Sequence, residues 1–214
     1  MTKAQLSFPM AMTDGPQFDR PQVKGQHVKG TCISVLTETQ PHPLTRAVPS
    51  LSFDLGGIAG SRHHGFTRKA GPREPWYPRG MEMRSGRQIS IVSEEDLAAI
   101  EAALGVGPIV PEWLGANIVT RGIPNFSFLP VGTRLVFNEA VVVVEAQNAP
   151  CRIVGRVLAQ MLTPDAAPGG LELDFPQKAK GLRGVVASVE RAGVIHAGEE
   201  ELAKVPPQWL WQVS

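Results

Sequence analysis

Short apolar segments recur along the chain, and their patterns predict strands. Residues 30–36, GTCISVL, alternate and are rich in β-branched side chains, which favours a strand with one buried face. Residues 140–146, AVVVVEA, are almost continuously apolar, as is typical of a strand buried on both faces. Residues 184–190 and 194–198 predict a terminal hairpin, because an Ala-Gly turn joins them. Further strands are predicted at residues 51–57, 89–92, 116–123 and 132–137.

One segment has clear helical periodicity. The apolar residues of SEEDLAAIEAAL, at 93–104, fall on one stripe of a helix. Ser93 suits the N-cap, Asp96 completes a pattern similar to a capping box, and Gly105 can end the helix. Residues 153–162 are apolar enough for a second short helix or a strand. The elements together predict a mainly β fold with one or two helices and a closed, barrel-like sheet.

The length and composition predict a single globular unit. We expect residues 1–24 to form an irregular N-terminal arm and residues 25–214 to form one domain. The net charge of +1 provides no field that would draw the chain to nucleic acid or to a membrane. Cys32 and Cys151 are too few for a disulfide framework. We see neither a secretory signal nor a membrane-spanning apolar run, and therefore expect a cytoplasmic protein.

The cationic residues are concentrated in a long connection of low periodicity at residues 58–88. Its positive charges are Arg62, Arg68, Lys69, Arg73, Arg79, Arg84 and Arg87, and its acidic residues are Glu74 and Glu82. Arginine offers a planar fork that binds phosphate or carboxylate, and the glycines around His63 and His64 allow a ligand to approach the backbone. The segment therefore predicts a site for a phosphate-bearing small molecule, with a solvated basic loop as the alternative.

Cys151 follows the buried strand at residues 140–146, in the stretch NAPCR. Pro150 stiffens the approach to this thiol, and Arg152 and the basic segment would favour the thiolate, which is a nucleophile and a soft metal ligand. The alternative is a small buried hydrophobic residue, which is the role we assign to Cys32 because it lies inside an apolar strand.

Three chemical uses of Cys151 can be compared. Zinc is disfavoured, because His63 and His64 are adjacent and the chain has no CxxC pair. A cysteine hydrolase could draw on His63 with Asn117 or Asn148, but no local signature supports it. The third use is a thiolate that holds a softer metal or a sulfur atom beside a basic pocket for an anionic organic cofactor.

Several motifs, taken together in their order and spacing, resemble the MOSC domain, the C-terminal domain of molybdenum cofactor sulfurases. The similarity extends over roughly residues 28–200. One motif departs from the family pattern, since Ser61 stands where the family usually has Asp. The segments that carry the resemblance are GIAGSRHHG (57–65), RQISIVSEEDL (87–97), WLGANIVTRGI (113–123), FLPVGTRLVF (128–137), NAPCRIVG (148–155) and LRGVVASVERAGVIHAGEE (182–200).

The resemblance implies a closed β-barrel-like MOSC fold that handles a molybdenum cofactor, Mo-molybdopterin, or its sulfur. Cys151 matches the family cysteine, which ligates molybdenum or carries a persulfide, and is thus the implied catalytic residue and metal ligand. At the family level the resemblance also allows for pyridoxal phosphate binding. By motif position the resemblance implies that Arg62, His63 and Asn117 bind the cofactor. From the basic segment itself, some of Arg68, Lys69, Arg84 and Arg87 are expected to help bind its phosphate and pterin.

The first functional hypothesis is a molybdenum-dependent oxidoreductase that reduces N-hydroxylated or N-oxide compounds. Because the sequence contains no Rossmann fingerprint and no iron–sulfur cysteine set, its electrons would come from an external donor protein. The second is a sulfur carrier or pterin-binding module that serves an enzyme of cofactor metabolism. The third is a partner-binding scaffold without chemistry, to which the Ser61 departure lends support.

Overall fold

The computed structural model describes residues 22–163 and 170–209. Three α-helices are formed, α1 (Glu94–Leu104), α2 (Arg152–Leu162) and α3 (Gly170–Lys178), with 3-10 turns at Pro111–Leu114 and Phe126–Phe128. The strands are β1 (Gln22–Val23), β2 (Gln26–Glu38), β3 (Thr45–Val48), β4 (Ser50–Asp54), β5 (Gly57–Ile58), β6 (Thr67–Lys69), β7 (Glu82–Arg84), β8 (Ile89–Ser93), β9 (Ile118–Arg121), β10 (Arg134–Val136), β11 (Val141–Gln147), β12 (Val185–Arg191), β13 (Gly193–His196), β14 (Glu200–Val205) and β15 (Gln208–Trp209).

Seven strands close into a barrel in the order β14, β10, β11, β12, β8, β9, β2, and β2 pairs with β14 to complete the ring. The pairs are antiparallel except β8 and β9, which are parallel and are connected through α1. The long strand β2 makes the closure possible, because its first half pairs with β14 and its second half with β9 and β3. The predicted mainly β, barrel-like fold is confirmed.

The barrel wall separates two apolar cores. Alternation along β2 sends Val35 into the barrel interior and Leu36 to the outer core, where it packs with α1, α2 and α3. In β11, Val142 and Val144 face the interior, whereas Val143 is only half-buried. The wall strands bury one face in the barrel interior, and those beside the helices, such as β2 at Leu36 and β8 at Val92, bury the other face in the outer core.

Helix α1 begins as predicted, with the Ser93 hydroxyl accepting a 3.1 Å hydrogen bond from the Asp96 amide, and ends at left-handed Gly105. Asp96 does not complete a capping box. Its carboxylate instead accepts hydrogen bonds from the hydroxyl (2.6 Å) and the amide (3.1 Å) of Ser127. The acidic residue therefore joins α1 to the turn at 126–128.

Some elements differ from the sequence prediction. The terminal hairpin prediction is wrong: β12 is paired on both edges by β11 and β8, so β13 pairs with β4. The connection at 58–88 contains an unpredicted hairpin of β6 and β7, and α3 was also not predicted. Of the predicted arm, residues 1–21 lie outside the described residues, as do residues 164–169 of the predicted loop at 163–170 and the last residues, 210–214. In the part of the chain that is described, no helix has the length and apolarity needed to cross a membrane.

Candidate functional site

A cavity of about 300 Å³ lies at one end of the barrel. Glu38 ends β2, Asn117 precedes β9, and Asn148 follows β11, so the cavity forms where these strand ends meet. We refer to it as the thiol cavity, because Cys151 is part of its wall. Its polar lining consists of Glu38, His42, Thr45, Arg62, His63, Arg73, Arg87, Gln88, Ser90, Asn117, Asn148, Cys151 and Arg183.

Cys151 occupies the N-cap position of α2, with an extended backbone (φ −141°, ψ 159°). Its carbonyl accepts the first helical hydrogen bond, 3.1 Å from the Gly155 amide, and its side chain makes no capping hydrogen bond. The residue is half-buried and packs against the outer core, beside the wall of the thiol cavity. The thiol is therefore fixed by a helix end and is not sealed within the core.

Arg87 lines the thiol cavity, and Asn148 holds its side chain in place. Its Nη2 donates to Asn148 Oδ1 at 3.1 Å, and Asn148 Nδ2 donates to the Ser90 hydroxyl at 3.0 Å. Burial, together with the charges of Arg73 and Arg68, lowers the pKa of Arg87 to about 10, which leaves the guanidinium protonated at neutral pH. This small network presents a charged, oriented donor to the cavity.

Arg183 is a second buried cation in the wall, and sequence analysis did not single it out. Only 5% of it is exposed, and its Nη2 donates to the Leu114 carbonyl at 2.5 Å. Its Nη1 is buried and has no hydrogen-bond partner among the described residues. Burial lowers the pKa of Arg183 to about 10, so it too stays charged at neutral pH. A buried guanidinium without a carboxylate partner is suited to an anionic ligand.

The backbone next to Arg183 is fixed by a close contact that only glycine permits. Gly184 has a φ of +76°, and a Cβ there would lie 1.9 Å from the Ile91 carbonyl oxygen. Its amide donates to the Ser127 hydroxyl at 2.7 Å, which in turn donates to Asp96. The backbone at Gly184 therefore packs directly on β8, and this contact holds the neighbouring Arg183 in the cavity wall.

The glycine-rich segment at 57–65 is attached to the barrel through Glu38. The Ser61 hydroxyl donates to Glu38 Oε1 at 2.8 Å, and the Arg62 amide donates to Oε2 at 3.1 Å. The His63 amide donates to the Ser61 hydroxyl at 3.1 Å. A carboxylate is therefore present where Ser61 replaces the family Asp, although it is supplied by β2.

Two imidazoles lie at the mouth of the thiol cavity, with the rings of His42 and His63 in edge contact at a centroid distance of 6.5 Å. Burial and then the Arg62 charge lower the pKa of both histidines, so both rings are neutral at neutral pH. His64 faces elsewhere, since its Nε2 lies 2.9 Å from both oxygens of Asp54. Only one of the two adjacent histidines lines the cavity.

The sequence-predicted site residues are divided by the fold. Arg62, His63, Arg87, Asn117 and Cys151 line the thiol cavity, and Arg73 joins them. Two further arginines form ion pairs instead, Arg68 with Glu74 at 2.5 Å and Arg84 with Glu145 at 2.6 Å. These two pairs line a neighbouring cavity. Lys69 is exposed on β6 and lines none of the described cavities.

The Asn117 amide is largely occupied by the barrel. Its Oδ1 accepts from the Ser90 amide at 3.0 Å, and its Nδ2 donates to the Leu36 carbonyl at 3.4 Å. These bonds connect β8 and β2 across the start of β9. One N–H of the amide remains for a ligand, so its first contribution is to hold the cavity wall together.

Cys32 lies in the barrel interior with no exposed surface. Burial, followed by the charges of Glu201 and Glu199, raises the pKa of its thiol to about 12. A thiol in that environment stays protonated and unreactive. Of the two cysteines, Cys151 is therefore the candidate for chemistry at a thiol.

The electrostatic balance of the thiol cavity is strongly positive. Four arginines line it, Arg62, Arg73, Arg87 and Arg183, and among the described lining residues Glu38 is the only acid. With both imidazoles neutral, four positive charges and one negative charge leave +3, although the whole chain carries only +1. A cavity of this charge with a soft thiol at its wall can hold an anionic group and a thiophilic atom side by side.

Comparison with known proteins shows the family to which the chain belongs. The MOSC domain matches residues 61–200, more than half of the chain. The chain belongs to the MOSC domain family. The resemblance noted in the sequence is thereby confirmed, and the MOSC family is associated with functions related to the molybdenum cofactor.

Similar proteins support the same assignment. YuaD of Bacillus subtilis (strain 168), whose name proposes a role in metal-sulfur cluster biosynthesis, is 43% identical over 158 residues, which are 73% of this chain and 81% of YuaD. The crystal structure of YuaD superimposes with a TM-score of 0.79 at 38% identity, covering 84% of this chain and 98% of that one. YiiM of Geobacillus stearothermophilus shares the fold, with a TM-score of 0.51 at 15% identity over 85% of this chain and 75% of YiiM.

Proposed function

We propose that this MOSC protein binds a molybdopterin-type molybdenum cofactor in the thiol cavity and reduces N-hydroxylated or N-oxide compounds there. The observation that carries the proposal is the convergence of Cys151, Arg87 and buried Arg183 on one cavity. A molybdopterin presents a phosphate and a thiophilic metal, and the cavity offers cationic forks and a thiol for these two chemistries.

The cavity residues fit the cofactor on physical grounds. Buried Arg183 has an Nη1 atom without a partner among the described residues, and an anion would satisfy it. Arg62 and Arg87 add charge-assisted donors for the phosphate, and Asn117 has one N–H left for the pterin. Cys151 would bind the metal from the N-cap of α2. When bound, the cofactor supplies oxo-transfer chemistry.

The protein's own residues then bind, orient and supply protons. Reduction cleaves the N–O bond of the substrate, and the oxygen leaves as water after taking up two protons and two electrons. The electrons come from a separate donor protein. His63 and His42 are neutral at neutral pH and lie at the mouth, where they can pass protons between water and the cavity.

The second candidate function is a sulfur carrier, in which Cys151 holds a persulfide and no metal is retained. The half-buried thiol at a cavity wall favours this function, as does the name of YuaD. Intact-mass measurement separates the two functions, because a persulfide adds about 32 Da to the chain.

The decisive experiment is elemental analysis for Mo, W and Zn on protein expressed with molybdate. We expect the native protein to carry molybdenum and Cys151→Ala to lose it, along with reduction of an N-hydroxylated compound driven by reduced methyl viologen. Cys32→Ala is the matched control, because Cys32 lies in the barrel interior and lines none of the described cavities; it should keep its metal. Full metal and full activity in Cys151→Ala would refute the proposal.

A further inference from the structure

A second cavity, of about 730 Å³, adjoins the thiol cavity. The two share Arg73, Arg87 and Val186 as lining residues, so these side chains form the boundary between them. The outer walls of the second cavity are the loop at 70–81 and the end of β11. We call it the aromatic cavity, after Trp76 and Tyr77 in its wall.

The aromatic cavity has two large exposed rings on a well-fixed loop. Trp76 is 70% exposed and Tyr77 is 42% exposed, and their ring centroids lie 6.2 Å apart. The ends of the loop are joined by hydrogen bonds between Ala70 and Met81, at 2.8 Å, and from Gly80 to Ala70, at 2.9 Å. Exposed aromatic rings on an ordered loop are a stacking surface prepared for a ligand.

The loop is also fixed from inside by a buried acid. Glu74 is 6% exposed, receives a hydrogen bond of 2.5 Å from Arg68 Nη2, and accepts a further bond of 3.0 Å from the Gly71 amide. The Tyr77 amide donates to the Glu74 carbonyl at 3.1 Å. The aromatic rings are therefore positioned by a buried ion pair and not by contacts with each other alone.

The charges of the aromatic cavity leave Arg73 available. Arg68 and Arg84 are neutralised by Glu74 and Glu145, which also line the cavity. Arg73 is exposed and forms no salt bridge with the described acidic residues. The positive charge without an acidic partner among the described residues thus lies at the boundary with the thiol cavity. Arg73 adjoins Arg87 there, but Arg87 is already bound to Asn148 through its Nη2, and the aromatic rings lie farther out.

We propose that the aromatic cavity binds a planar, conjugated compound that carries an anionic group, with its ring stacked on Trp76 and its anion at Arg73. Tyr77, whose ring is tilted by 55° to that of Trp76, would contact the compound from the side. Such a compound would present its inner end to the thiol cavity. The idea that this compound is the substrate of the thiol cavity rests on the proposed function, whereas its binding in the aromatic cavity does not. The class follows from two features, since flat rings stack on flat rings and a guanidinium binds carboxylate or phosphate.

Calorimetric titration of the cofactor-free protein with naphthalene-2-carboxylate tests the site. The native protein should bind this probe more tightly than naphthalene-2-carboxamide, which lacks the charge, and decahydronaphthalene-2-carboxylate, which lacks the flat ring. Trp76→Ala and Arg73→Gln should each weaken binding roughly fivefold or more, because each removes one of the two recognition elements. Both side chains are exposed, so both variants are expected to fold.

The matched controls lie on the same stretch of chain but outside both cavities. Phe66→Ala removes another exposed ring and Arg79→Gln removes another arginine, and both should bind the probe within about twofold of the native protein. No binding by the native protein, or native affinity in Trp76→Ala, would overturn the proposal. Cys151→Ala should bind the probe as tightly as the native protein does. Failure of the molybdenum proposal can therefore be distinguished from failure of the proposal for the aromatic cavity.

Discussion

Glu201 on β14 is fully buried in the barrel wall, where its Oε2 receives a 2.5 Å hydrogen bond from the Thr120 hydroxyl. Its Oε1 has no hydrogen-bond partner among the described residues. Burial raises the pKa of Glu201 to about 7, against the lowering effect of the Thr120 hydroxyl. A carboxyl in such surroundings is more stable protonated than ionised.

The pH dependence of stability follows from Glu201. Its pKa is about 4.5 unfolded and about 7 folded, so the folded state holds the extra proton in this window and stability falls as pH rises from 4.5 to 7. Glu201→Gln should remove this slope and, at pH 8, increase the free energy of unfolding by an amount on the order of a few kcal/mol. Urea unfolding at pH 4, 6 and 8 measures the effect.

Glu200→Gln is the matched control, because Glu200 is exposed and pairs with Lys29 at 3.1 Å on the surface. It should leave the pH slope of the native protein in place. Parallel pH slopes for the native protein and Glu201→Gln would show that Glu201 does not titrate in this window.

At the scale of elements, α2 places Cys151, and its packing on α3 depends on Gly155. A Cβ added at Gly155 would lie 2.7 Å from the Glu172 carbonyl oxygen and 3.0 Å from the Glu172 Cα. The Glu172 carboxylate also receives hydrogen bonds from Arg152 at 3.2 Å and Arg156 at 3.0 Å. One glycine and one carboxylate thus fix the distance between the two helices.

Gly155→Ala should destabilise the protein by about 1–3 kcal/mol, because the added methyl group meets backbone atoms that cannot move aside cheaply. It should also change the reaction rate of Cys151 with a disulfide reagent, since the start of α2 would shift. Gly170→Ala is the control: a Cβ there meets nothing within 4 Å, so its urea midpoint should stay close to the native value. Equal midpoints for all three proteins would contradict this account of the helix pair.

Two elements, α1 and β11, could be predicted from the sequence, whereas one strand pairing could not. Helix α1 could be predicted to within a residue, because its cap, its apolar stripe and its terminal glycine all act locally. Strand β11 was recognisable from its valines. The pairing of β13 with β4 was not predictable, because it depends on β12 having both edges occupied by distant strands.

At the scale of the whole molecule, closure of the barrel concentrates positive charge in the thiol cavity, which the net charge of +1 does not reveal. Arg183 lies far along the chain from Arg62, Arg73 and Arg87, yet all four line one cavity. A positive cavity of this kind should bind inorganic phosphate even without the rest of a cofactor. A ligand that binds only the folded state raises stability by mass action.

Inorganic phosphate should therefore raise the melting temperature of the cofactor-free protein, by roughly 2–4 °C for each kcal/mol of binding free energy. Arg183→Met should lose most of this increase and fold as well as the native protein in the absence of phosphate, because it removes a buried charge without a carboxylate partner. Thermal unfolding in phosphate and in sodium chloride of equal ionic strength measures the difference.

Arg79→Gln, which removes an arginine outside the cavities, should respond to phosphate like the native protein. The same phosphate-induced increase in Arg183→Met and in the native protein would show that the anion binds elsewhere.

The sequence by itself determined the elements whose signals are local and the residue types available for chemistry. It singled out Cys151 after a buried strand, an arginine-rich segment and a family pattern, since these depend on neighbours along the chain. Only the tertiary structure decided that Arg68 and Arg84 are neutralised by Glu74 and Glu145, and that Arg183 joins the cavity. The physical reason is that charge pairing and burial depend on distances in space, and barrel closure brings together side chains more than a hundred residues apart.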